Sequence, residues 1–346
     1  MDISLLDKTL KNNHQPNFRM KQIIKAVFQD GIFDFSEMSA LPKELREILN
    51  EEIKILPFEV LDVLISDDRS SYKALLKLKD NLLIETVLIS PKPGYWSSCI
   101  SSQAGCALGC KFCATGAAGF KRDLTFEEIS SQVLFWKQYL RKNKIAGNFS
   151  NIVFMGMGEP FLNWENVKQS LKILTDKNLF GIGSRNISIS TAGIVEGIER
   201  LAEEFPQVNL AISLHFADDK KRSKFMPINN KHNLAQLREA IKKYFQKTKR
   251  KVFIEYLMLD RINNQEKDAD ELIKFLNSIG PTKLLHVNLI RYNSVSGNLK
   301  PSSKTKVHEF KEYLLKKKIN VTIRKSLGQE IQAACGQLSA GSQELS

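Results

Sequence analysis

From about residue 97 the chain alternates strand-like and helix-like segments six times, and this alternation limits the possible folds more than any other feature. The strand-like runs are SCISSQ (98–103), NIVFMG (151–156), NISIST (186–191), NLAISLH (209–215), VFIEYLML (252–259) and LLHVNLI (284–290). Helical stretches follow them at 125–141, 164–177, 194–204, 233–247, 265–278 and 303–317, and NVTIRK (320–325) ends the series as a last strand. Thr125 with Glu128 predicts a capping box at the first helix. Six consecutive β-then-α units predict an α/β fold of parallel strands with right-handed crossovers. A doubly wound sheet and an open or closed barrel both fit this pattern. Both place reactive groups at the C-terminal edges of the strands.

The N-terminal third has a different character. Residues 1–60 read as helical: FRMKQIIKAVFQDG carries apolar residues at helical spacing and ends at Gly31, and Pro42 opens PKELREILNEEI. YKALLKLKD and NLLIETVLI are β-like runs around Asp80-Asn81 and predict a hairpin. The expected division is a helical accessory region at 1–65, a β-hairpin at 66–91, an α/β core at 92–328 and a C-terminal segment at 329–346. The end of that segment, GQLSAGSQELS, reads as mobile. No apolar run approaches the ~20 residues of a membrane span. The start, MDISLLDKTLKNN, lacks the apolar core and cleavage site of a signal peptide. The expected location is the cytoplasm, where thiols stay reduced.

The formal net charge of +13 favours a polyanionic partner. The densest basic runs are Lys220-Lys221-Arg222, Lys242-Lys243 continuing through Lys247, Lys249, Arg250 and Lys251, and Lys316-Lys317-Lys318. Taken singly, each reads as the solvated face of a helix; the total favours nucleic acid.

Three of the five cysteines, Cys106, Cys110 and Cys113, lie in SSQAGCALGCKFCATG (101–116), spaced Cys-x3-Cys-x2-Cys. In a reducing compartment, clustered cysteines bind metal or do chemistry. Structural zinc needs four ligands in a closed tetrahedron. No histidine or further cysteine follows within forty residues, although Cys99, seven residues upstream of Cys106, could complete a set. Thiolates also hold iron–sulfur clusters, and three protein ligands would leave one iron open to another molecule.

The triplet, with Phe112 before its last cysteine, resembles the radical SAM superfamily. FMGMGEP, ISISTAG, SLH and AACGQL follow in that order, and with LPKELR near the N-terminus the chain resembles the RlmN/Cfr family of RNA adenine methyltransferases. The resemblance implies a partial (β/α)6 barrel with a small N-terminal helical domain that helps hold RNA and a β-hairpin extension. It implies a [4Fe-4S] cluster on Cys106, Cys110 and Cys113, with S-adenosylmethionine on the fourth iron and two molecules of it used per turnover. In the family, a 5′-deoxyadenosyl radical takes hydrogen from a methyl group already carried on a cysteine, and the carbon radical adds to adenine. By resemblance Cys335 carries that methyl group. Cys99 then resolves the covalent RNA link, leaving a transient disulfide with Cys335. Glu85 is the implied proton acceptor; its plain alternative is an exposed strand carboxylate. Gly158, Glu159, Ser190, Ser213, Leu214, His215 and Asn293 match cofactor-binding positions. The plain alternatives are a small buried residue for Cys99, an inert thiol near a loose terminus for Cys335, and a hydrogen-bonded core histidine for His215.

RlmN methylates C2 of adenine 2503 in 23S rRNA, and in some bacteria adenine 37 of tRNA; Cfr methylates C8 of the same rRNA adenine and confers antibiotic resistance. Leu162-Asn163 after GEP, Ala107-Leu108-Gly109 and RKSLGQEIQAACGQL look more like RlmN, whereas HVNLIRYN and YWSSCISSQ lean toward Cfr. The balance favours C2. The remaining implied features are a monomer, an electron donor such as flavodoxin and no membrane association. Two other readings compete: a radical SAM enzyme acting on a peptide or small molecule, and a zinc-stabilised RNA-binding module without catalysis.

Overall fold

The structure, a computed structural model, describes residues 1–295 and 299–339. The last seven residues of the C-terminal segment, 340–346, lie outside the described residues. Three helices open the chain: α1 (Ile3–Asn12), α2 (Phe18–Ile24) and α3 (Lys43–Glu52). A short π-helical turn continues α2 to Gln29, and Gly31, at φ +70°, takes the left-handed turn that ends it.

Three antiparallel strands follow: β1 (Phe58–Ile65), β2 (Ser71–Leu78) and β3 (Leu83–Lys92). The expected hairpin is β2–β3, turning at Asp80-Asn81, where Asn81 adopts φ +67°. β1 corrects the expectation of helix through residue 60. Its register slips between Val60 and Asp62, and it lies at the sheet edge, so the period-2 alternation of a half-buried strand is broken.

The alternating region forms as expected. β4 (Tyr95–Cys99) leads to β5 (Gln103–Gly105), the short α4 (Ala114–Ala117) and β6 (Phe120–Asp123). Then come α5 (Phe126–Lys142), β7 (Asn148–Phe154), α6 (Trp164–Thr175), β8 (Ile187–Thr191), α7 (Val195–Glu204) and β9 (Asn209–Ser213). After α8 (Asp219–Phe225) and α9 (Leu234–Thr248), the chain runs through β10 (Val252–Met258), α10 (Glu266–Ile279), β11 (Leu285–Arg291), α11 (Lys304–Lys316) and β12 (Val321–Arg324). The predicted capping box forms: Thr125 Oγ1 accepts from Glu128 N, and Thr125 N donates to Glu128.

The main sheet has the order β1-β2-β3-β4-β7-β8-β9-β10-β11-β12. From β4 to β12 every strand is parallel to its neighbour, and each crossover advances in one direction. A doubly wound sheet reverses its strand order midway; this one never does, so it is a partial barrel. The expected hairpin extension is continuous with it, because β3 pairs with β4.

Helix α5 joins the layers. Trp136 is fully buried and donates through Nε1 to Thr86 Oγ1 of β3 at 3.1 Å. From the same helix, Lys137 Nζ donates to Phe28 O at 2.7 Å, and Gln138 Nε2 donates to Ile32 O at 2.6 Å. Leu6, Ile23, Phe35 and Leu49 therefore share one apolar core with Val133, Trp136 and the barrel strands.

The basic runs resolve differently from their appearance. Lys243 pairs with Glu199 at 2.7 Å and Lys247 pairs with Glu203, so α9 lies against acids of α7. Arg222 is not on a solvated face; it is 0% exposed. Replacing Trp136 by Ala removes both its burial and its bond to Thr86. We expect a loss of about 3–5 kcal/mol in urea unfolding; a loss below about 1 kcal/mol would show that α5 is not the joint described.

Candidate active site

The cysteine loop is closed at its base by β5 and β6, which pair antiparallel on either side of it. Gly105, at φ +80°, makes this possible: a Cβ there would lie 1.8 Å from Gly119 O. The loop then lies against a small apolar group of Phe112, Phe216, Phe225 and Met226, on which Cys110 and Cys113 also pack. Lys111 N donates to Phe225 O at 3.0 Å.

The turn after β7 lies directly on Ile100–Gln103. Met157 O accepts from Ser102 N at 2.8 Å and from Gln103 N at 3.2 Å, and Glu159 N donates to Gln103 Oε1 at 2.8 Å. A Cβ on Gly158, at φ +96°, would lie 2.5 Å from Gln103 Cβ. This glycine therefore permits the close contact between the two loops.

One cavity is lined by Cys99, Cys106, Cys110, Cys113 and Cys335, and also by Gly158, Glu159, Ser190, Ser213, His215 and Asn293. Two expected site residues, Glu85 and Leu214, do not line it. The Leu214 side chain is in the core, and its carbonyl accepts from Arg222 Nε at 3.3 Å. Glu85 is buried under the C-terminal segment, which overturns the exposed-carboxylate alternative. It pairs with Lys73 Nζ at 2.9 Å, and its Oε2 accepts from Ser339 N at 2.7 Å.

The segment bearing Cys335 is fastened, contrary to the expected mobility of its residues 336–339. Ala114 N donates to Gly336 O at 2.8 Å, and Thr115 Oγ1 to Leu338 O at 2.6 Å, both from the cysteine loop and its helix. Asn293 Nδ2 donates to Cys335 O at 3.1 Å, while its Oδ1 accepts from Gln329 at 2.7 Å. Asn293 thus holds the cysteine segment itself. Cys335 is exposed. Cys99 shares its cavity; burial first, and then the charge of Cys335, push the Cys99 thiol up to about 12. Arg324 opposes that rise. It bonds Glu255 at 3.4 Å through Nη1, and the charge of Cys335 is the largest influence holding it protonated.

The remaining polar groups face the same space. Burial raises Glu159 to about 7, although its carboxylate accepts from Ala192 N at 2.7 Å and Phe161 N at 3.2 Å. Ser190 and Ser213 hydroxyls lie 3.2 Å apart. His215, in the left-handed region at φ +56°, accepts from Leu257 N through Nδ1 at 3.1 Å, and Asn263 Nδ2 donates to its carbonyl at 2.8 Å. It also meets Phe112 edge-on at 5.0 Å. Burial, reinforced by Arg222, lowers its pKa to about 3.

These residues fit an iron–sulfur cluster. Burial pushes Cys106 up to about 12 and raises Cys110 as well, so the protein alone disfavours their thiolates and a cationic iron core would supply what favours them. Among the described residues no three His, Cys, Asp or Glu side chains gather closely enough to grip a single metal ion.

Comparison with known proteins agrees with this geometry. Residues 100–276 match the radical SAM superfamily, and residues 1–55 match the N-terminal domain of ribosomal RNA large subunit methyltransferases. The chain is 43% identical over 325 residues to a ribosomal RNA large subunit methyltransferase Cfr of Clostridium botulinum, covering 93% of this chain and 92% of that protein. It is 42% identical over 332 residues to a "Probable dual-specificity RNA methyltransferase RlmN" of Carboxydothermus hydrogenoformans, covering 96% and 94%. A radical SAM methyltransferase from Sphaerobacter thermophilus superimposes with a TM-score of 0.90 at 36% identity over 98% of each chain. Fold and cysteine loop define a radical SAM enzyme, one that uses a [4Fe-4S] cluster and S-adenosylmethionine. The chain belongs, within that superfamily, to the RlmN/Cfr family of rRNA methyltransferases. The Cfr and RlmN relatives differ by one percentage point of identity, which does not separate the two activities.

Because the folded pKa of His215 lies below its ordinary 6.5, its contribution to stability is complete above pH 6.5 and is lost as pH falls toward 3. Nitrogen-15 NMR of the cofactor-free protein should show a neutral ring with its proton on Nε2 from about pH 8 to about pH 5. Protonation near pH 6.5 would contradict the buried Nδ1 acceptor.

Proposed function

We propose that this enzyme methylates C2 of adenine 2503 in 23S rRNA, and C2 of adenine 37 in tRNA, through a methyl group carried on Cys335. The observation that carries the reading is the single cavity shared by Cys99, Cys335 and the three loop cysteines. Cys106, Cys110 and Cys113 would hold the [4Fe-4S] cluster, and Glu159, Gly158, Ser190, Ser213 and His215, which line the cavity, would bind S-adenosylmethionine; Leu214 lies outside it. When bound, the cluster and S-adenosylmethionine would supply the hydrogen-atom acceptor needed because a ring carbon such as C2 is a poor nucleophile.

The chain's own residues do the rest. Cys335, as its thiolate, takes a methyl group from the sulfonium of one S-adenosylmethionine by a polar displacement. The methyl carbon gives up a hydrogen atom and bonds to the adenine ring, so enzyme and RNA are joined by a thioether. Glu85 takes the ring proton while the ring radical gives up one electron, for which the oxidised cluster would be the acceptor; Lys73 keeps that carboxylate paired with a cation, and Ser339 must leave its Oε2 for the ring to approach. Cys99 then attacks the Cys335 sulfur. The sulfur–carbon bond breaks, the carbon keeps the electron pair and gains a proton, and a Cys99–Cys335 disulfide remains. Arg324 faces both sulfurs of that exchange.

The C2 assignment is supported by Ala107-Leu108-Gly109 and by the sequence around Cys335. The tRNA activity is supported by the dual specificity named for the Carboxydothermus relative. The Cfr names among the relatives favour C8 as the second reading. The net charge of +13 suits an RNA substrate. A single-electron donor of the flavodoxin kind, action as a monomer and a cytoplasmic location complete the proposal; no helix among the described residues is long and apolar enough to cross a membrane.

Two variants test the relay. Cys335→Ala should keep its iron and sulfide and transfer no methyl, with S-methylcysteine absent from the peptide that carries it in the parent protein. Cys99→Ala should accumulate a covalent protein–RNA adduct that migrates above the free protein in a denaturing gel and disappears with ribonuclease. Normal turnover by either variant would overturn the relay.

A further inference from the structure

A buried arginine stands beside the cysteine loop without a carboxylate partner. Arg222 is 0% exposed. Its Nη2 donates to Ala192 O at 2.6 Å, its Nη1 to Asn229 Oδ1 at 2.8 Å and His232 O at 3.5 Å, and its Nε to Leu214 O at 3.3 Å. Every one of these acceptors is neutral. Among the described residues no carboxylate lies within salt-bridge distance of it. A buried charge is normally paired, because hydrogen bonds to neutral groups replace only part of its hydration. Asp219 compensates part of it at one remove, since Asn229 Nδ2 donates to Asp219 Oδ1 at 2.9 Å, and the rest comes from elsewhere.

The neighbouring elements show where. Phe225 and Met226, one turn beyond Arg222, belong to the apolar group on which Cys110 and Cys113 pack, and Phe225 O holds Lys111 N of the cysteine loop. Burial lowers Arg222 to about 10, and the charge of Cys110 is the main influence opposing that fall, ahead of Asp219. In turn, Arg222 is the one cation among the charges acting on Cys110, the others being Cys113, Cys106 and Glu159.

We infer that Arg222 is a fixed buried cation that raises the reduction potential of the cluster held on Cys106, Cys110 and Cys113, and is thus a positioning residue for the electron that starts the reaction. The inference rests on the assignment of those three cysteines to the cluster. Three thiolates on a doubly positive iron–sulfur core leave one net negative charge, and reduction makes it two. A neighbouring positive charge favours the more negative state. A unit charge about 10 Å away at an effective dielectric of about 20 shifts such an equilibrium by roughly tenfold.

The test is an EPR-monitored redox titration of the anaerobically purified full chain with its cluster, beside Arg222→Gln and Arg222→Lys. Iron and sulfide are measured first. Absence of iron from the parent protein would defeat the cluster assignment and not this inference alone. With full loading, Arg222→Gln should show a reduced-to-oxidised ratio about tenfold lower at a fixed potential, ~59 mV for one electron. Arg222→Lys, which keeps the charge and loses the guanidinium geometry, should stay within about twofold of the parent. An unshifted Arg222→Gln, or equal shifts in both variants, would overturn the inference. If Arg222→Gln does not fold, Arg222→Met, a neutral side chain of similar length, takes its place and should show the same tenfold fall; an unshifted ratio would count equally against the proposal.

Discussion

The site depends on how tightly the turn after β7 lies on the strap Ile100–Gln103. Met157 O collects two N–H groups of the strap, and Ser101 Oγ joins Met157 N at 2.8 Å to Glu85 O at 2.6 Å. Gln103 reaches onward to Glu159 through Oε1 and to Asp123 of β6 through Nε2 at 2.8 Å. One four-residue segment thereby fixes the hairpin, the cysteine loop and the cavity-lining carboxylate of Glu159 relative to each other. Side chains at Gly156 or Gly158 would collide with it, a Cβ on Gly156 lying 2.7 Å from Ile100 O. This compactness brings groups from distant parts of the sequence to one cavity without a large loop insertion.

The cavity is also organised by charge. Cations stand around it at three places: Lys73 pairs with Glu85 beneath the C-terminal segment, Arg324 with Glu255 near the cysteine pair, and Arg222 is buried behind the cysteine loop. His215, kept neutral by its burial and by its bond from Leu257 N, adds no further positive charge. The arrangement suits chemistry in which thiolates, a carboxylate and an electron-rich cluster must coexist away from water, because electrostatic effects grow as water is excluded.

Much of this was legible in the chain itself. The β/α alternation predicted the parallel strands to within a few residues, because each is a buried apolar run bounded by polar turns. The loop cysteines stood out by their spacing, whereas Cys335 and Glu159 were singled out only by family resemblance; the structure places all five on one cavity. Strand β1 did not, because a bulge and an edge position erased its period. Arg222 was hidden in a Lys-Lys-Arg run that looks like a solvated face; only the packing of α8 shows Lys220 exposed, Lys221 half-buried against Asp268 and Arg222 in the core. Lys73 and Arg324 were equally silent, since each is one basic residue in a strand whose partner lies on another strand. Burial of a single charged residue is a tertiary property, and local patterns do not carry it.

The central claim is that this chain methylates an adenine ring carbon of ribosomal RNA through its own cysteine. The most direct measurement is nucleoside mass spectrometry of rRNA from a bacterium lacking both related activities and expressing this chain. The account predicts new 2-methyladenosine in 23S rRNA. New 8-methyladenosine without the 2-isomer would contradict the position assigned on the ring. Neither product, from a protein shown to carry its iron and sulfide, would contradict the account as a whole.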